Sequence, residues 1–238
     1  MSHEILDNIT HHDLKIITTR SALYGDNIHC TTAFIPEFRQ LQAHYPIFLR
    51  QNSEQQFEPV VLLGFTEHEN VFLGEQGWNA TYIPLSIQRQ PFLIGFQTRT
   101  ENGVPVKSPV VCVDMAHPRV SRTEGEAVFL EHGGNSRYLE HISSVLATIQ
   151  QGHADNQQFC QMLSTLELAE PLTLEFTDNN GQTHRVGGLY TINEDRLNQL
   201  DAATLEKLHR HSYLQHLYMM IASAINVRTM LQLKAQAK

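Results

Sequence analysis

The densest run of chemistry-bearing residues is Glu131-His132-Gly133-Gly134-Asn135, which leads from a strand-like stretch, Ala127 to Leu130, into a helical pattern. Backbone N–H groups at a helix amino terminus, approached through glycines, form a ready anion site. Glu131 and His132 beside it could serve as acid, base or metal ligand. The competing reading is a tight strand-to-helix turn, in which the glycines take positive φ and Asn135 caps the helix. The string also has the look of a glycine-rich oxyanion loop of some esterases. That chemistry needs a G-x-S-x-G nucleophile elbow, and the sequence has none.

Arginines supply a second set of candidates. Arg89 interrupts an apolar extended stretch at Gln88-Arg89-Gln90-Pro91-Phe92, and Arg119 and Arg122 follow a strand-like run that ends at Asp114-Met115. A buried or half-buried arginine is expected to pair with a carboxylate, for which Asp114, Glu124 and Glu131 are the candidates. The alternative use is a clamp on a ligand carboxylate or phosphate. Trp78 with Tyr82 reads as an aromatic wall or as ordinary core packing. The fourteen histidines raise the question of metal. His11-His12 is expected to be solvated near a terminus, while His209 and His216 share a face only if one helix continues through Ser212. No histidine pair has the local spacing of a zinc site. A triad from distant positions, such as His44, Asp114 and His132, is geometrically open but not legible in one sequence. The ligand-binding set is therefore His44, Arg89, Asp114, Arg122, Glu131, His132 and Asn135, with no catalytic role assigned, no metal expected and the cofactor left open. Phosphate-loop, dinucleotide-turn and H-E-x-x-H signatures are absent.

Composition narrows the classes. A chain of 238 residues, 41% hydrophobic and 18% charged, is long enough to bury a sizeable core. The formal net charge of −8, from 17 basic and 25 acidic residues, argues against a nucleic-acid partner. Cys30, Cys112 and Cys160 are odd in number and form no C-x-x-C pair, which reads as a reducing, cytoplasmic compartment. Met1 to Asp13 is polar and does not read as a signal peptide. The apolar stretch Leu217 to Ile225 falls well short of the ~20 residues of a membrane span and reads as a buried helix.

The elements that must position these groups follow from periodicity. Ile28, Cys30, Thr32 and Phe34 alternate as in a half-buried strand. Pro36 suits the first turn of a short helix that turns Phe38 and Leu41 inward. Pro46 to Arg50 and Pro59 to Phe65 read as two strands, and the consecutive apolar Val60 to Leu63 as a strand buried on both faces. Tyr82 to Phe96 reads as extended chain broken by Pro84 and Pro91, Thr98 to Pro109 as a polar loop, and Val110 to Met115 as a strand. The flanking strands are expected to pair within one sheet. After Gly134 the period changes: Tyr138, Leu139, Ile142, Val145, Leu146 and Ile149 mark a helix that Asn135 or Ser136 can cap and Gly152 can end, and Asp155 opens another that stops by Pro171. Leu172 to Phe176, Asp178-Asn179-Asn180-Gly181 and Val186 to Ile192 form a β-hairpin signal, with Gly187-Gly188 suggesting a bulge. Asn193 and Asp201 read as caps of two further helices, and a last helix spans about Ser212 to Ala235 with a buried middle. The expected class is α+β: a strand-rich N-terminal half with a mostly antiparallel or mixed sheet, and a helical C-terminal half carrying one β-hairpin. A single domain over 1–238 is expected, strand-rich over 14–132 and helical with the hairpin over 134–235.

Several distinctive strings follow in order: Arg20-Ser21-Ala22 leading into Tyr24-Gly25-Asp26-Asn27, Gln42-Ala43-His44-Tyr45-Pro46, and Tyr82-Ile83-Pro84-Leu85. Arg89-Gln90-Pro91-Phe92 with Leu93-Ile94-Gly95-Phe96, Phe129 through Asn135, Leu189-Tyr190-Thr191-Ile192-Asn193 and Tyr213-Leu214-Gln215 complete the set. With these strings the chain resembles the SapC family of bacterial proteins, from about Asp13 to Leu231. The resemblance implies a link to surface-layer loci and a neighbourhood of outer-membrane receptor and flavin-dependent halogenase-like genes. It carries over no catalytic residue, and the peptide-transporter permease of the same name is a different protein. The leading expectation is an accessory protein that binds a small anionic molecule or a peptide in envelope or nutrient-uptake functions. The alternatives are an enzyme acting on a small anionic substrate near the Glu131 to Asn135 turn, and a cytoplasmic assembly partner of surface-layer protein.

Overall fold

Short runs of β-branched and aromatic residues set most of the first half, and the computed structural model describes residues 3–75, 77–101, 104–177 and 183–236. In chain order the elements begin with β1 (His3–Ile5), β2 (Lys15–Ile16), β3 (Cys30–Thr32), α1 (Phe38–Leu41), β4 (Ile47–Gln51) and β5 (Phe57–Leu62). Then come β6 (Leu73–Gly74), β7 (Gly77–Trp78), α2 (Leu85–Gln88), β8 (Phe92–Glu101), β9 (Val104–Asp114), β10 (Val120–Ser121) and β11 (Glu126–Ala127). The second half holds α3 (Arg137–Thr165), β12 (Ala169–Thr177), β13 (Thr183–Ile192), α4 (Glu194–Asn198), α5 (Ala202–Arg210), α6 (Tyr213–Ser223) and α7 (Asn226–Gln236). This is the α+β fold that the periodicity implies, and the strand pairings among the described residues are antiparallel. No helix among the described residues is long and apolar enough to cross a membrane.

The strands among the described residues form four sheets rather than the one expected, ordered β1-β9-β8, β10-β2-β11, β12-β13-β4-β5-β3 and β6-β7. The chain divides into two compact units, one from Met1–Asp26 with Leu85–Gln150, the other from Asn27–Pro84 with Gln151–Lys238. In the first unit, Leu14, Ile16, Phe92, Val113, Val128 and Phe129 pack with Leu139, Ile142 and Leu146 of the α3 stripe. Burying such side chains stabilises by about 1.5–3 kcal/mol each, enough to hold strands as short as β2 and β10. In the second unit Ile47, Phe48, Leu49 and Val60 to Leu63 are buried, and the Ser223 hydroxyl of α6 accepts the Ile47 N–H at 2.8 Å.

Where the structure departs from the periodicity, the cause is tertiary. Thr98 to Pro109 is not a loop: β8 and β9 pair in register from Phe92↔Val113 to Glu101↔Val104. Because β1 covers only Cys112 to Asp114 of β9, the Pro105 and Pro109 positions lie on a free edge, where a missing N–H costs no ladder bond. Tyr82 to Phe96 is interrupted by α2, which follows Pro84 directly. The expected two helices are one, α3, which runs through Gly152 and Asp155. Gly152 does not end a helix; a Cβ there would lie 2.9 Å from the Phe34 Cβ, so the glycine admits that side chain. One turn on, buried Asn156 accepts the Ile35 N–H at 3.0 Å and donates to the Ala33 carbonyl at 2.7 Å. Asp155 instead accepts from Gln151 on the exposed side. The last helix is two, α6 and α7, and Tyr218 and Ile225 are exposed at 53% and 58% despite the apolar run.

Other local readings hold. Asn193 and Asp201 cap α4 and α5 by accepting the N–H groups of Arg196 and Thr204. The β12–β13 register shifts opposite Gly187-Gly188, the bulge that the glycines suggest. The turn Asp178-Asn179-Asn180-Gly181 lies outside the described residues. Replacing Gly152 by Val is expected to lower stability by about 1–3 kcal/mol through overpacking against Phe34. Urea unfolding followed by circular dichroism reads this directly, and a helix-terminating glycine would give no such dependence on side-chain bulk.

Candidate anion site

The first unit contains a cluster of charge that its own core cannot solvate. Arg119, in the turn after β9, is 1% exposed, and so is Asp26, at the end of the first chain segment. Their Nη2 and Oδ2 atoms are 2.5 Å apart. The Arg119 Nη1 also donates to the carbonyls of Ile17 and Thr19 at 2.7 and 2.8 Å, and its guanidinium lies 5.4 Å from the Tyr24 ring centroid. Asp26 accepts the Ser21 N–H at 2.9 Å, and Arg20 stands 3.4 Å from its other oxygen. Arg20 donates in addition to the Ile87 carbonyl at 3.2 Å. Burial, reinforced by the charge of Arg119, pushes the Arg20 pKa below its ordinary value. Two guanidinium groups thus crowd one carboxylate in a poorly solvated place.

Arg89 adds a third cation at the start of β8. Its Nη1 donates to the Phe92 carbonyl at 2.8 Å, and it makes no ion pair among the described residues. Burial alone pushes its pKa down. The expected carboxylate partners are therefore corrected: Arg119 takes Asp26 instead of Asp114, Glu124 or Glu131, Arg122 takes Asp13 in an exposed pair, and Arg89 takes none.

His117 stands among these charges, in the turn that Asp114 opens through its carbonyl at 3.0 Å from the His117 N–H. Burial and the charge of Arg119 lower its pKa below 6.5, with Arg89 adding to the fall and Asp114 and Asp26 opposing it. The imidazole is accordingly neutral at pH 7. Its Nδ1 accepts the Arg119 N–H at 3.2 Å, so its proton resides on Nε2 and the ring presents a donor. Four buried side-chain polar atoms lack a hydrogen-bond partner among the described residues, and three belong to this neighbourhood in sequence or space: Ser21 Oγ, Gln90 Oε1 and Arg119 Nε. Buried polar atoms are nearly always satisfied, so a concentration of orphans marks a place with unused bonding capacity. The Tyr138 hydroxyl, with its pKa pushed up to about 12 by burial, remains a neutral donor beside Arg20 and Arg119.

The remaining sequence-derived candidates are distributed as follows. Asp114 joins the cluster through its influence on His117 and accepts the Ala116 N–H at 3.2 Å. Glu131, His132 and Asn135 are exposed and make no side-chain hydrogen bond among the described residues. Within the turn the Gly133 N–H bonds the Leu130 carbonyl, and the flanking Leu130 and Ser136 N–H groups bond the Gly134 and Val128 carbonyls. Ser136 rather than Asn135 caps α3, accepting the Leu139 N–H at 3.2 Å. His44 belongs to the second unit, where its Nε2 lies 2.7 Å from the Thr81 hydroxyl. Trp78 and Tyr82 are tied into the same unit's core through Tyr45 and Glu37, with Trp78 donating to the Tyr45 hydroxyl at 2.7 Å and Tyr82 to Glu37 at 2.9 Å. His11 corrects the expectation of a solvated pair: it is 1% exposed, with Nε2 3.3 Å from Glu4 and Nδ1 accepting the Asp7 N–H. No three of the described His, Cys, Asp and Glu residues are grouped to hold a metal ion.

Sequence reasoning missed Arg20, Asp26 and His117. The first two lie in strings already singled out, Arg20-Ser21-Ala22 and Tyr24-Gly25-Asp26-Asn27, and an acid flanked by Tyr and Gly before a strand was the available signal.

Fold and site together define an α+β protein with a buried, under-neutralised arginine cluster in one of its two units. The chain belongs to the SapC family, whose model, described as SapC, matches residues 6–230. No curated protein and no solved structure matches it.

If Asp26 exists to neutralise Arg119, Asp26→Ala should lose about 3–5 kcal/mol, because it strands a buried guanidinium. Asp26→Leu combined with Arg119→Met should recover most of that loss. Urea denaturation of the two variants beside the parent protein measures both effects, and a double variant as unstable as the single one would contradict the pairing.

Proposed function

We propose that the protein is a binding protein for a small carboxylate- or phosphate-bearing molecule, held at the arginine cluster of its first unit. The observation that carries this reading is Arg89: a guanidinium desolvated enough to lower its pKa, with a backbone carbonyl and no carboxylate as partner. A cation in that position gains most from an incoming anion, because charge-assisted hydrogen bonds strengthen as water is excluded. Arg20 and Arg119 provide the positive potential behind it, and the His117 Nε2–H a further donor.

Binding is favoured over catalysis by the tautomer of His117. A general base would need a free imidazole lone pair, and the Arg119 amide occupies the one on Nδ1. The accessory role, linked through the family to envelope or nutrient-uptake functions, fits a site built mainly from donors. The three cysteines are free, in keeping with a reducing, cytoplasmic compartment.

Titration calorimetry with inorganic phosphate and with citrate tests the reading. Binding is expected for at least one of them and should weaken about ten-fold or more in Arg89→Met, the loss of one charge-assisted contact of about 1.5–3 kcal/mol. Thermal stability without ligand should change little, since Arg89 breaks no ion pair. Equal affinity in the variant, or tighter dependence on His132→Ala than on Arg89→Met, would overturn the assignment.

A further inference from the structure

The second unit holds an open groove whose chemistry differs from that of the arginine cluster. One pocket of about 300 Å³ lies between the β4–β5 turn and α3, lined by Gln55, Gln56, Phe57, Gln157, Cys160 and Gln161. A second of about 300 Å³ shares Gln161 and extends past Gln158 and Met162 to Lys207, His211 and Tyr213. Gln157, Cys160 and Gln161 fall at i, i+3 and i+4 of α3, so the helix presents them on one face, and Gln158, Gln161 and Met162 repeat the spacing one residue on. Each pocket is of ligand size.

The lining selects a chemical class. The side-chain amides of Gln55, Gln56, Gln157, Gln158 and Gln161 make no hydrogen bond among the described residues, so each offers both a donor pair and an acceptor. No ionisable group other than Cys160 lines the first pocket, and burial holds that thiol neutral by pushing its pKa up to about 12. Each pocket also has an aromatic ring in its lining: Phe57, packed edge-on to Tyr190 at 5.0 Å, and the exposed His211, stacked on buried Tyr213 at 5.5 Å. A peptide would need a free strand edge or a row of apolar sockets. The strands at the groove, β4 and β5, are interior to the five-stranded sheet, with only the Phe57 end of β5 extending past the β3 ladder, and the apolar lining is sparse. Amides beside aromatic rings, with no charged group at the first pocket and Lys207 at the second, match a ligand that carries vicinal hydroxyls on an apolar ring face.

We infer that this groove is a binding site for a neutral glycan, with two sugar subsites divided by Gln161. It is independent of the anion site, since it lies wholly in the other unit and uses none of its residues. The test is titration of the full-length protein with neutral oligosaccharides of hexose and of N-acetylhexosamine units, followed by the glutamine side-chain NH₂ resonances in ¹H–¹⁵N spectra. Saturable shifts are expected, with affinity about ten-fold lower in Gln161→Ala, as the loss of one or two hydrogen bonds implies. Lys207→Met and added salt should change it less than about two-fold, because the ligand is uncharged. Gln161 is an exposed helix position where alanine is favourable, so thermal unfolding should be unchanged and a folding defect is not an alternative explanation. No response to any oligosaccharide, binding indifferent to Gln161→Ala, or saturable binding of an uncharged Gly/Ser/Asn peptide in place of the sugars would each overturn the inference.

Discussion

Arg119 is held inside the first unit by Asp26, and most of that unit's polar organisation answers to this one buried ion pair. A guanidinium and a carboxylate removed from water each cost several kcal/mol, and their attraction offsets this only when the remaining donors and acceptors also find partners. The local chain is arranged accordingly. Ile17 and Thr19 turn their carbonyls to Arg119, Ser21 turns its N–H to Asp26, and the Tyr24 ring covers the guanidinium. The pair spans 93 positions of sequence, so it also fixes the first segment against the chain that follows β9. Short strands such as β2 and β10 gain their position from that tie as much as from their two ladder positions.

What the pair leaves over is positive. Arg20 shares Asp26, Arg89 has no carboxylate, and the Arg119 Nε has no partner among the described residues. A purely structural network would be expected to close its own bonds, because a half-satisfied polar cluster is less stable than an apolar core. Retaining desolvated guanidinium groups makes physical sense when an anion completes them. His117 sharpens the point, since the Arg119 amide fixes its tautomer and leaves its Nε2–H as a donor. The proposed recognition of a carboxylate or phosphate rests on these desolvated groups, whereas Glu131, His132 and Asn135 of the glycine-rich turn are exposed.

The legible part of this molecule was local. The α3 stripe, the caps at Asn193 and Asp201 and the glycine bulge in β13 all depend on residues a few positions apart, and their patterns carry through to the structure. Gly152 was misleading because a glycine in a helical pattern signals either a terminus or a close approach, and only the sequence-distant Phe34 distinguishes them. His11 reads as solvated from its place near the amino end, yet acids at Glu4 and Asp7 flank it in a buried position. At the site, Arg89 and Asp114 were legible as charges interrupting apolar runs. Asp26 and His117 were not, because nothing in the neighbourhood of an isolated acid or histidine reveals which distant arginine will face it. The glycine-rich turn attracted attention by its composition, while the strained electrostatics lay with residues of ordinary local context.

The proposed anion site is the arginine cluster and not the glycine turn. Crystals grown without phosphate or sulfate and soaked in bromide or selenate would locate the anion by its anomalous signal. A peak is expected within hydrogen-bond distance of the Arg89 guanidinium and the His117 Nε2. A peak at the Glu131 to Asn135 turn, or none near Arg89 at full soak, would contradict it.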